Sequence, residues 1–155
     1  MKYRQLTKEQ FEDLHKEFAQ FLASQKIDDK KWKQIKNNHP NLVEEEMNLF
    51  SDMVWEDVLS KVNYLEHFSV KSINLFKTGK DDIQRIVVKI SNGVNLLKKD
   101  GYEWLLKNPN DVSVEYFRGD KKYSLNRNSE IFDLIEKGSQ ISKGELFEFF
   151  NQLTT

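Results

Sequence analysis

The segment from Pro40 to Lys61 constrains the fold more than any other part of the chain. It has no Gly and no further Pro, so it can form one uninterrupted helix of roughly six turns. At the helical step of about 100° per residue, its apolar residues cover most of the circumference. A helix of this kind is buried on several sides, so we expect it to be the central element of the fold. Its main apolar stripe contains Val43, Met47, Phe50, Val54 and Val58.

The same helix carries one strip of acidic residues, formed by Glu45, Asp52 and Glu56. Asp52 and Glu56 lie one turn apart, which is close enough to share a cation or a proton. A polar strip on a largely apolar helix is more often simply its solvated side. We favour that interpretation and predict no metal site here.

Two helices are predicted ahead of this segment. Thr7 and Gln10 have the spacing of a capping box, and apolar residues then recur at helical intervals, so a helix is expected from about 8 to 25. His15 lies at the centre of its apolar stripe. We therefore predict a buried, hydrogen-bonded histidine and no metal ligand, because a di-iron centre needs a second Glu-x-x-His pair. Asp28 is expected to cap a short helix that contains Trp32 and ends near Asn38.

After about residue 63 the pattern changes from helical to strand-like. Residues 72–77 and 83–90 are β-rich runs, and residues 78–82 between them read as a hairpin loop. A third strand is predicted from about 112 to 117, ended by Arg118-Gly119-Asp120. Residues 64–68 fit either a fourth strand or a linker.

Three helices are expected in this part. They are a short one from about 100 to 107, one from about Ser129 to Lys137 that stops at Gly138, and a last one opened by a capping box of Ser142 and Glu145. The order predicts a single α+β domain over residues 1–155. Its helical N-terminal half surrounds a central buried helix, followed by a small, mainly antiparallel sheet of three or four strands and two C-terminal helices.

Composition excludes several classes of protein. The 24 basic and 25 acidic residues nearly cancel, so no overall charge attracts nucleic acid or an anionic membrane. The absence of cysteine excludes disulfides and thiolate chemistry and fits a reducing compartment. No apolar run is long enough to span a bilayer. We expect a cytoplasmic protein with no cofactor, no metal and no membrane attachment.

Two groups of residues are candidates for a functional site. Glu66 and His67 place an acid beside a base, although neighbours on a strand point to opposite faces. The second group could bind RNA through a surface loop, helped by the basic segment 30–36 around Trp32. Its members are Arg118, Lys121, Lys122, Tyr123 and Arg127. For Trp32 itself we favour inward packing, with its lysines extending into water.

Four segments resemble a family of small uncharacterised proteins from Bacteroidetes. They are Met1–Thr7, Phe50–Trp55, Tyr64–Phe68 and Lys143–Phe147. The resemblance extends over the whole chain and implies a single-domain bacterial cytosolic protein. It implies no activity, and no catalytic residue can be transferred from it.

Three functions remain open. The first is a non-catalytic binding or adaptor protein that acts through a protein partner or as a homodimer, because the chain is rich in aromatics and lacks a catalytic motif. The second is an RNA- or ribosome-associated protein. The third is a hydrolase-type or metal-dependent enzyme that uses Glu66 and His67, or Asp52 and Glu56.

Overall fold

The computed structural model describes residues 1–155 and contains two compact units, Met1–Ser60 and Lys61–Thr155. The first unit is helical and the second contains the sheet, so the α+β class is confirmed. The assignment of residues 1–155 to one domain stays a prediction.

The helical unit contains four helices: α1 (Lys8–Asp13), α2 (His15–Ser24), α3 (Asp29–Asn38) and α4 (Pro40–Ser60). The capping box of Thr7 and Gln10 is present, and the Asp28 side chain accepts a hydrogen bond from the N–H of Lys31. The single helix predicted over 8–25 is instead broken at Leu14, which has φ −104° and ψ 23°.

Aromatic rings fill the interior of this unit. Phe18 packs edge-on against Trp32, with 5.5 Å between ring centroids, and lies tilted against Phe50 at 5.0 Å. The predicted inward packing of Trp32 is thus confirmed, and Ile35 beside it is buried.

The predicted burial of α4 on several sides is wrong in part. Phe50 and Leu59 are fully buried, but Leu49 is 56% exposed and Met53 is 50% exposed. Helices α1 to α3 have only six to ten residues each, so they cover one side of a helix of 21 residues.

The predicted burial of His15 is also wrong, although its ring is hydrogen-bonded as expected. Its side chain is exposed, and Nδ1 lies 3.0 Å from the carbonyl oxygen of Glu12. Because the helix breaks at Leu14, His15 begins a new helix and is no longer in angular register with the apolar residues before it.

The second unit is built on a five-stranded antiparallel sheet in the order β4-β3-β2-β1-β5. Its elements, in chain order, are β1 (Tyr64–Phe68), β2 (Ser72–Thr78), β3 (Asp82–Ile90), α5 (Lys99–Lys107), β4 (Val114–Lys122), α6 (Arg127–Glu136), β5 (Gln140–Ser142) and α7 (Glu145–Thr154). Residues 64–68 are therefore a strand. The sheet has five strands where three or four were predicted, because β5 has only three residues and shows no readable alternation.

Two further predictions are corrected here. Strand β4 does not end at Arg118-Gly119-Asp120 but continues through them to Lys122, since pairing with β3 overrides the local turn signal. Ser142 does not cap α7. The N-cap is Gly144 with φ 86°, where a Cβ would come within 2.4 Å of the Tyr64 ring.

The two faces of the sheet are covered by different helices. One face packs its aliphatic side chains against α5 and α7, where Leu105, Phe147 and Phe150 are buried. On the other face, Leu134 of α6 shares a cavity lining with Phe76 of β2 and Ile83 of β3. This arrangement leaves β4 and β5 as the two edges of the sheet.

Strand β4 is a long edge strand, and only the side of its backbone that faces β3 is hydrogen-bonded. The N–H of Ser91 donates to the carbonyl of Ser113. Every second residue after Ser113 (115, 117, 119 and 121) therefore directs its backbone N–H and C=O groups toward β3, and the residues between them direct theirs outward. The outward residues are Tyr116, Arg118, Asp120 and Lys122. Their N–H and C=O groups have no partner within the chain, and the strand is exposed from Phe117 to Lys122.

This alternation predicts opposite results for two neighbouring proline substitutions. Asp120→Pro removes an outward N–H that has no partner within the chain, so it should change the unfolding free energy of the single chain, measured in dilute solution, by less than about 0.5 kcal/mol. Lys121→Pro removes an N–H that bonds to Ile83 of β3 and should cost about 2 kcal/mol. Urea unfolding of both variants measures the difference, and equal losses would contradict the assigned alternation.

Candidate functional site

Glu66 and His67 lie on opposite faces of the sheet. Glu66 lines a cavity of about 800 Å³ on the face covered by α5 and α7. His67 lines a different cavity of about 620 Å³ on the face of α6. The expected separation of these neighbours is confirmed, so they cannot act together on one substrate atom.

The Glu66 cavity contains a carboxyl group in a partly desolvated position. Burial raises the pKa of Glu66. Burial, followed by the negative charges of Glu66 and Glu145, also raises the pKa of the Tyr102 phenol. The Tyr102 ring packs edge-on against Phe68, with 5.9 Å between centroids. A carboxyl of this kind keeps its proton to a higher pH than an exposed one, so it can donate a hydrogen bond under mildly acidic conditions.

The His67 cavity is lined by side chains that bond to one another. Arg85 donates to Asn74 from Nε at 3.0 Å and from its terminal nitrogen at 2.5 Å. Lys121 forms an ion pair with Glu130 at 3.0 Å. His67 lies beside Gly138, where a Cβ would come within 3.2 Å of Nε2. Ser139 also lines this cavity, but no hydrogen bond joins its hydroxyl to His67.

Asp52 and Glu56 hold the N-terminal segment of the helical unit. Asp52 accepts hydrogen bonds from the backbone N–H groups of Lys2 and Tyr3, at 2.7 Å and 2.9 Å. Glu56 accepts from the Tyr3 hydroxyl at 2.5 Å and from Lys2 Nζ at 3.2 Å. Burial, then the bond to Glu56 and the charges of Glu56 and Asp52, raise the pKa of Tyr3. These contacts account for both carboxylates, and the chain contains no cluster of three or more His, Asp and Glu residues suited to a metal ion.

The basic group predicted as an RNA surface is divided between two roles. Arg127 donates from Nε to the carbonyl of Gly79 at 3.0 Å and from its terminal nitrogen to that of Val62 at 2.5 Å. Tyr123 donates to the same Gly79 carbonyl at 2.8 Å. Tyr123 and Arg127 therefore fasten the β2–β3 hairpin to the start of α6.

The remaining basic residues of that group lie on β4. Arg118 donates to the Thr154 hydroxyl at 2.7 Å, Lys121 pairs with Glu130, and Lys122 is exposed. The sequence did not reveal the free edge on which they lie, because Gly119-Asp120 is typical of a turn and its pairing with β3 is not evident from the residues next to it. The signal that could have revealed it is the concentration of charged residues from Arg118 to Lys122, because charged side chains are typical of edge strands.

These features define an α+β protein whose antiparallel sheet has one long open edge and two separate cavities. The chain belongs to DUF6495, a family of unknown function whose model matches residues 1–155. Neither the curated proteins nor the solved structures contain a match to this chain. None of its helices combines the length and the apolar character needed to cross a membrane. The expected bacterial origin stays a prediction.

We predict that Tyr3→Phe lowers the free energy of unfolding by about 1.5 kcal/mol, because it removes a short hydrogen bond to a carboxylate. Urea unfolding gives the value. Tyr64→Phe is the matched control, since its hydroxyl donates a longer bond of 3.2 Å to Glu148 and should cost less. An equal or smaller loss for Tyr3→Phe would show that Glu56 does not hold this segment.

The raised pKa of Glu66 makes stability depend on pH in a defined direction. Burial disfavours the charged form, so wild type loses stability relative to Glu66→Gln as pH rises from the ordinary value of 4.5 through the higher pKa of the folded state. Unfolding free energies from about pH 4 to about pH 7 measure this difference. The exposed Glu103→Gln is the control for charge removal. Parallel curves for wild type and Glu66→Gln would contradict the prediction.

Proposed function

We propose that this protein is a non-catalytic binding protein that acts by pairing the free edge of β4 with an extended strand from a protein partner or from a second copy. One observation carries the proposal. The backbone groups of Tyr116, Arg118, Asp120 and Lys122 point away from β3 and have no partner within the chain. A row of unpaired backbone groups is a template for an added strand.

The contrast between the two edges of the sheet supports this function. Strand β5, at one edge, has three residues and offers little to pair with. Strand β4, at the other, has nine residues in continuous register with β3, without a bulge and without proline. Edges that must stay unpaired are usually short, bulged, interrupted by proline or charged, most often with lysine. Strand β4 has only the last of these devices, in Arg118, Asp120, Lys121 and Lys122.

The positions of the other candidate residues favour binding over catalysis. Glu66 and His67 line separate cavities, and Asp52 and Glu56 bind the N-terminal segment. The RNA hypothesis has less support, because Tyr123 and Arg127 are bonded to backbone carbonyls. We expect the protein to act in the cytosol, which its cysteine-free sequence favours.

The proposal predicts that Asp120→Pro abolishes binding while the fold is kept. The experiment uses full-length chain immobilised as bait, exposed both to native lysate and to tagged copies of itself. Wild type should retain a protein that Asp120→Pro does not, because proline lacks the outward N–H and its ring obstructs an added strand. Hydrogen exchange on the retained complex should show protection of the amides of Tyr116, Arg118 and Lys122.

The matched control is Asp81→Pro, which places a proline in the exposed β2–β3 loop and should retain what wild type retains. A protein captured equally by wild type and Asp120→Pro would mean that binding does not use β4. The proposal also fails if wild type retains neither its own copies nor any other protein.

A further inference from the structure

We infer that the strand added to β4 is β4 of a second copy, antiparallel and centred on Gly119, so that two chains form a two-fold dimer with one continuous sheet. This inference rests on the proposed function and specifies the occupant of that edge. It is carried by the positions of the free backbone groups and by the order of charges along the strand.

The free backbone groups are arranged symmetrically about Gly119. Tyr116 and Lys122 lie three residues from it, and Arg118 and Asp120 lie one residue from it. In an antiparallel pair centred there, Arg118 of each copy is opposite Asp120 of the other, and Tyr116 is opposite Lys122. Four N–H donors on each of two chains then give eight hydrogen bonds. No outward group of these four residues is left unpaired.

Pairing in the registers centred on Arg118 or Phe117 would leave more of the outward N–H and C=O groups of β4 without a partner. A pair centred on Arg118 would require Val114, whose N–H already donates to the carbonyl of Asp111. It would also place Arg118 directly opposite its own copy, and like charges in that position are destabilising. A pair centred on Phe117 would place Lys122 opposite residue 112, which lies before the start of β4.

In this register the charges of β4 are complementary to those of a second copy. Each Arg118 faces an Asp120 of the other copy, so the interface contains two opposite-charge pairs at hydrogen-bonded positions. Like charges directly opposite each other would oppose such pairing. Arg118 comes before Gly119 and Asp120 comes after it, so an antiparallel second copy centred on Gly119 places an acid opposite each base.

Gly119 suits the two-fold axis. The residues that face each other there form a non-hydrogen-bonded pair, with about 4.5 Å between Cα atoms. A Cβ at Gly119 would meet nothing within 4 Å inside its own chain, so the packing of a single copy does not require glycine. Two glycines at the axis let the strands approach without a side-chain collision.

A cysteine placed at the axis tests the register directly, because the natural chain has none. Gly119→Cys should form a disulfide-linked dimer under mild oxidation, since facing Cα atoms about 4.5 Å apart lie in the range of disulfides. Lys121→Cys is the control. Its two copies would lie about 13 Å apart along the strands, beyond the reach of a disulfide. Cross-linking of Lys121→Cys as fast as Gly119→Cys would overturn the register.

Charge exchange tests the pairing without cysteine. Arg118→Asp and Asp120→Arg each place like charges opposite each other, so the dimer dissociation constant of each variant should rise about tenfold or more. A one-to-one mixture of the two restores both opposite-charge pairs and should form a heterodimer with wild-type affinity. Analytical ultracentrifugation with one variant labelled measures all three. Lys143→Asp, near the opposite edge of the sheet, should dimerise as wild type does.

The outcomes separate this inference from the proposed function. A wild-type chain that stays monomeric, with no dimer in the variant mixture, overturns the inference. Loss of a different captured protein with Asp120→Pro would then leave the proposed function standing. A wild-type dimer that persists in Asp120→Pro overturns the inference, because the copies would then associate through another surface. The proposed function falls with it if no other captured protein is lost from Asp120→Pro.

Discussion

The alternation of hydrogen bonds along an antiparallel strand is the constraint on which the sheet unit depends. Each residue of β3 bonds either to β2 or to β4, and the same alternation in β4 directs every second residue away from the sheet. Strands β2 and β3 are paired on both sides, and β1 is paired with β5 over Tyr64–Glu66. At β4 no further strand of the chain is available, so a row of backbone donors and acceptors ends at the surface.

The carboxylates of the protein illustrate how surroundings decide what one chemical group does. Asp52 and Glu56 accept hydrogen bonds from the first residues of the chain and thereby fix a terminal segment to α4. Glu66 has a partly buried position on β1, and desolvation raises its pKa. Asp120 projects from an exposed edge strand. None of these differences can be read from residue type alone.

Much of the secondary structure was predictable because its signals are local. The capping box of Thr7 and Gln10, the Asp28 cap and the hairpin loop at 78–82 each depend on residues a few positions apart. The errors occur where distant parts of the chain compete with a local signal. Gly119-Asp120 resembles a turn, but pairing with β3 extends the strand through it, and contact with Tyr64 requires a glycine at 144.

For the candidate site residues, too, local properties were predictable and contacts between distant parts of the chain were not. That Glu66 and His67 point to opposite faces was predictable, because a strand has a period of two. The bonding of Tyr123 and Arg127 to the Gly79 carbonyl was not, since 44 and 48 residues separate them. The solvated face of α4 was also hidden, because its exposure depends on how much of it the three short helices cover.

By itself, the sequence determined the α+β class, the positions of most helices and strands, and the absence of disulfide chemistry. These follow from periodicity, capping residues and composition, which act over a few residues or over the whole chain at once. Only the tertiary structure decided the strand order and the open edge at β4. Those properties arise when strands far apart in the chain pair, and the order of that pairing leaves no mark in any short stretch of residues.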